Sequence, residues 1–128
     1  MAQHNVIMYI MQDPKVVKDL AQRSGRVLLA LLEEMRVNHS VAQSLHDWLE
    51  PFIRSVLDGT GLLPSEMTFN FRLYDEHRAF EPYPLLEEAL NIFSIAIHAA
   101  QPDNWPTYVT QLEANFARRE IGAGRAYR

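Results

Sequence analysis

The chain has 128 residues, a formal net charge of −4, and 48% hydrophobic against 22% charged residues. That is enough for one domain burying roughly two-thirds of the surface it exposes when unfolded, and too apolar a composition for global disorder. There is no cysteine, which excludes disulfides, thiolate nucleophiles and thiolate metal sites; it fits a reducing compartment, so a cytoplasmic protein is expected.

The charge is unevenly placed. Residues 1–36 carry five basic and four acidic groups, residues 37–113 carry three and eleven, and residues 114–128 carry four and one. The acidic middle disfavours a phosphate-binding surface there, because nucleic-acid affinity comes mostly from clustered Lys and Arg. No repeat or Gly/Ser linker divides the chain, so 1–128 is read as a single helical domain with a basic tail at 122–128.

At the N-terminus, Val6 to Met11 is an apolar run. No Lys or Arg precedes it and it is shorter than a secretory core, so no signal peptide is expected. Asp13-Pro14 is a helix-start signal, with an acceptor for orphan amides followed by a residue suited to the first turn. From there Val17, Leu20, Ala21, Val27, Leu28, Leu31, Leu32 and Met35 recur at helical spacing, and the phase survives Gly25. One helix over about 14–37 is expected, with a kink at Gly25 as the alternative.

Ser40 and Gln43 form a capping-box pattern opening a second helix, 41–58, which ends at Asp58-Gly59-Thr60-Gly61. Pro51 lies inside it, so a kink or split is expected at Glu50. Residues 67–74 then alternate, with Phe69, Phe71 and Leu73 on one side and Thr68, Asn70 and Arg72 on the other. This reads as a strand that needs a partner, either 5–11 or a strand of another subunit.

Proline-bearing residues 75–84 lead into a third helix, 84–101, around which the rest is expected to pack. Its segment Ala89–Ala100 has nine apolar residues in twelve and no formal charge. Twelve residues are far short of the roughly 20 that a membrane span requires, so no membrane association is expected. A last helix, 106–121, follows Trp105-Pro106. The expected fold is mainly α, a four- to five-helix bundle-like domain with a minor strand or two-stranded element at 67–74, paired in one version with 5–11. A homodimer would satisfy an unpaired strand and cover surplus apolar stripes.

Motifs for chemistry are sparse. His4, His39, His46, His77 and His98 give no metal-ligand spacing; His46 and Glu50 are four apart on one helical face, but two ligands do not make a site. Asp75-Glu76-His77-Arg78 reads as a mixed-charge loop, and Gly59-Thr60-Gly61 lacks the lysine and third glycine of a phosphate loop. No metal, no cofactor and no catalytic residue are expected.

Three residue groups remain. Glu87, Asn91, Ser94, His98 and Gln101 form a polar ridge on the third helix, read as its solvent seam or, alternatively, as the pocket lining of a small-molecule-binding module or minor enzyme. Arg118, Arg119, Arg125 and Arg128 make the C-terminus basic and are read as a solvated end or as an electrostatic contact with an acidic partner or, least favoured, nucleic acid. Trp48, Phe52, Tyr83 and Trp105 stand near helix ends or the Pro51 irregularity and suit a protein interface. The favoured function is therefore a non-enzymatic interaction module, an adaptor, inhibitor or regulatory subunit, that binds another protein.

Overall fold

In a computed structural model, the structure describes residues 8–69, 80 and 82–121. Its elements in chain order are strand β1 (Tyr9–Met11), helices α1 (Pro14–Met35), α2 (Ser40–Asp58) and α3 (Pro84–Ala96), strand β2 (Ala100–Pro102) and helix α4 (Trp105–Ile121). The fold is mainly helical with a two-stranded antiparallel sheet.

The local chemistry expected at the first helix is present. The Asp13 side chain accepts from the Lys15 amide at 2.8 Å, and Pro14 occupies the first turn. The helix then runs unbroken through Gly25, and Ser24, the polar residue on the buried stripe, donates its hydroxyl to the Leu20 carbonyl at 2.7 Å. At Gly25 the neighbouring helices come close: a Cβ there would stand 3.1 Å from Phe93 Cε1 of α3 and 3.5 Å from Ile53 Cγ2 of α2.

The second helix corrects the expected cap and removes one of the two alternatives at Pro51. His39, not Ser40, caps it, with Nδ1 accepting from the Ala42 amide at 3.2 Å. Pro51 does not split it, and the helix is continuous from Ser40 to Asp58, with Pro51 on the exposed face. It ends as expected at Gly59, whose φ of 83° is the left-handed conformation that glycine adopts without Cβ strain.

The third helix is shorter than expected and is not the hub. It stops at Ala96; Ile97 to Ala99 turn out of the helix, and Ala100 and Gln101 enter β2 instead. Gln101, expected on the polar ridge, is fully buried; its Nε2 donates to the Ala96 and His98 carbonyls at 2.9 Å each. It thereby satisfies acceptors that a further helical turn would have used. Pro102 also disfavours helical geometry at residue 101. The helix with the broadest packing against the other three is α1, whereas α3 packs mainly against α1 and α4 and meets α2 through the Phe93–Phe52 ring contact.

The strand pairing also differs. β1 pairs with β2 in the register Tyr9↔Pro102, Ile10↔Gln101 and Met11↔Ala100. Residues 67–69 form no strand; residues 5–7 and 70–74 of the expected pair lie outside the described residues. Flanking bonds from the Gln12 amide to the Ala99 carbonyl and from the Asp103 amide to the Met8 carbonyl fix the alternation. They make Ile10↔Gln101 the hydrogen-bonded pair and turn the Tyr9 and Met11 backbone groups away from β2. Pro102 falls at a non-bonded position, where its missing N–H is not needed.

Between the helices lies one apolar cluster that includes Leu20, Leu28, Leu32, Leu45, Ile53, Leu86, Leu90, Phe93 and Leu112. Two ion pairs tie α1 to α4 at its edges. Arg23 meets Glu113 at 2.6 Å, and Arg119 meets Glu34 at 2.8 Å with its side chain only 5% exposed.

Candidate functional site

The surface is informative where large apolar side chains stay in water. β1 and the residue before it present Met8, Tyr9, Ile10 and Met11, exposed by 59, 59, 40 and 75%. A half-buried strand alternates, and this one is exposed on both faces. The strand is held on its inner side by β2 and by a contact of Gln12 Nε2 to Gln101 Oε1 at 3.5 Å. Its outer edge carries the backbone N–H and C=O groups of Tyr9 and Met11, a row of groups suited to strand addition.

Of the four aromatics expected at an interface, Trp48 is the most exposed, at 50%. Its ring meets Phe69 edge-on at 5.9 Å, and Phe69 in turn packs on Phe52 and Phe93, so an aromatic series runs from the surface into the core. Phe52 and Trp105 are partly buried against the core, and the indole N–H of Trp105 donates to the Ile92 carbonyl at 3.1 Å. Tyr83 is partly buried edge-to-face with His39 at 4.4 Å.

The polar ridge does not stay together. Glu87 and Asn91 are exposed, and Ser94 donates to the Asn91 carbonyl at 2.9 Å. His98 lies beyond the end of α3, where its Nε2–H donates to the Met67 carbonyl at 2.7 Å. A cleft of about 270 Å³ lies elsewhere, between the start of α1 and the end of α2, lined by Lys15, Lys18, Val56 and Leu63 among others.

The arginines separate as well. Arg119 is built into the fold, paired with Glu34 and stacked at 4.8 Å over the Phe116 ring. Arg118 is exposed and bonds Asn115. Arg125 and Arg128 lie outside the described residues. No family model, curated protein or solved structure matches the chain.

One cluster escaped the sequence reading. Across the α1–α2 hairpin, Glu33 comes beside His46 and Glu50, with His46 Nε2 at 3.7 Å from Glu33 Oε2 and 4.0 Å from Glu50 Oε2. Arg54 bonds the same two carboxylate oxygens at 2.9 Å each. That hydrogen bond, more than any longer-range charge, holds Glu50 below the usual carboxylate range. The His46–Glu50 spacing was legible as one helical face, but Glu33 arrives through tertiary packing and has no local signal.

Proposed function

We propose that the chain is a non-enzymatic protein-interaction module, an adaptor, inhibitor or regulatory subunit, whose contact element is the outer edge of β1. One observation carries the reading: four consecutive large apolar residues, Met8 to Met11, stand exposed along an edge strand and the residue before it. Such a run is a liability unless something covers it. The partner supplies an extended apolar segment that bonds the Tyr9 and Met11 backbone and shields the side chains on both faces. Trp48, half exposed, supplies a second aromatic anchor of the kind that often dominates binding energy.

When no partner is present, the same edge pairs with itself. Antiparallel β1–β1 pairing about a two-fold axis closes on a homodimer and leaves no further edge exposed on β1. The test is a proline scan. Met11→Pro removes a donor that faces away from β2, so the fold should persist while edge pairing is lost; Ile10→Pro removes a donor facing β2 and should loosen the sheet itself. Light scattering should show a wild-type dimer and a Met11→Pro monomer of unchanged helical content. If wild type is monomeric, and Tyr9→Pro and Met11→Pro leave the binding of an apolar strand peptide untouched, the reading is wrong.

A further inference from the structure

The geometry points to a binding site for a divalent first-row transition metal, of the zinc type, formed by Glu33 on α1 with His46 and Glu50 on α2. One ligand atom from each lies within 4.8 Å of the others. An acidic pair beside a histidine is common on protein surfaces, so the state of the histidine decides. The His46 side chain is only 4% exposed, and neither ring nitrogen has a hydrogen-bond partner. A buried imidazole ordinarily satisfies at least one nitrogen. Here Nε2 instead faces the two carboxylate oxygens, at 3.7 and 4.0 Å, beyond hydrogen-bond reach.

Those separations suit a metal better than a direct contact. Bonds of about 2.0–2.2 Å to nitrogen and oxygen place tetrahedral ligand atoms about 3.4 Å apart, so His46 Nε2, at 3.7 and 4.0 Å from the two oxygens, needs little movement, while the two carboxylates, within 4.8 Å of each other, must draw together. Both carboxylates are partly in water, with side chains 45 and 33% exposed, and can make that adjustment once released from Arg54. The opposite face of the ring fits as well. His46 Nδ1 is 3.7 Å from Asp47 Oδ1, placed to become the carboxylate partner that orients a metal-bound histidine. A donor set of one nitrogen and two oxygens favours zinc-like ions over magnesium or calcium, which take oxygen ligands throughout, and three protein ligands leave a coordination position for water.

Arg54 is the resident competitor. Its guanidinium bonds Glu33 Oε2 and Glu50 Oε2, the same atoms that face His46. A dication binds only by drawing those oxygens away from Arg54. This gives the site a signature that adventitious binding at other histidines lacks: removing an arginine should tighten the binding of a cation.

The experiment is calorimetric titration of the chelator-treated full chain with Zn²⁺, with Mg²⁺ as control and Co²⁺ absorption to report coordination. One Zn²⁺ per chain is expected and no Mg²⁺ binding. Glu33→Gln should weaken Zn²⁺ by at least about 10-fold, Arg54→Ala should tighten it severalfold, and His46→Gln should abolish it. Glu33 and Arg54 are surface residues, so their variants report even if the buried His46 variant fails to fold. No saturable binding, or binding indifferent to both Glu33→Gln and Arg54→Ala, overturns the assignment.

Discussion

Gly25→Ala separates two opposed effects at the contact between α1 and α3. In an exposed helix, alanine gains about 1 kcal/mol over glycine. Here the added methyl meets Phe93 Cε1 at 3.1 Å with Ile53 Cγ2 at 3.5 Å, closer than a relaxed contact on the phenyl side. The ring has little room to retreat, being 1% exposed and packed on Phe52 and Phe69 at 6.0 and 6.4 Å. Overfilling a tight core costs about 1–3 kcal/mol, so the substitution should lose about 1 kcal/mol net. In a Phe93→Leu background the obstacle is gone, and Gly25→Ala should instead gain about 0.5–1 kcal/mol. The two effects give a coupling of about 2 kcal/mol, readable in a double-mutant cycle from urea unfolding followed by helical circular dichroism. If Gly25→Ala stabilises both backgrounds equally, the close approach does not control that position.

Arg119→Ala should destabilise the domain toward the lower part of ~3–5 kcal/mol, because it leaves Glu34 without its ion-pair partner while the carboxylate keeps some access to water; an unfolding midpoint no lower than that of exposed Arg118→Ala would contradict the pairing. Glu50 has its pKa lowered by the Arg54 hydrogen bond, so its contribution to stability is present above the ordinary glutamate value of 4.5 and is lost as pH falls through the lower folded-state value. In Arg54→Ala the Glu50 carboxyl should titrate at higher pH by carbon-detected NMR, and a midpoint that does not move would rule the bond out.

What the sequence revealed was local, and what it hid was not. The Asp13-Pro14 start, the stripe through Gly25 and the glycine after Asp58 each act within a turn, and the first, second and last helices fall within two residues of expectation. The end of α3 was hidden because Ile97 to Ala100 contains no breaker, and the chain leaves the helix to pair with β1 and bury Gln101. The 67–74 alternation signalled apolar side chains correctly at Phe69, which packs inward without joining a sheet. Arg119 read as part of a basic end because its partner Glu34 is on another helix, and Glu33 was missed at the His46 cluster for the same reason. Exposure of Met8 to Met11 was equally invisible, since an apolar run reads as buried until the packing shows otherwise.

The β1–β2 ladder joins residues far apart in the chain, from Met11 and Ala100 to Tyr9 and Pro102. Contacts of such sequence separation come late, after the helices have shortened the distance to be spanned. On a ribosome, Tyr9 to Met11 emerges before residue 102 and waits for it before its inner edge can pair. The most apolar part of the N-terminus is therefore also the part longest without its sheet, and a bulky soluble fusion ahead of residue 1 should raise the yield of folded chain more than the same fusion after residue 128.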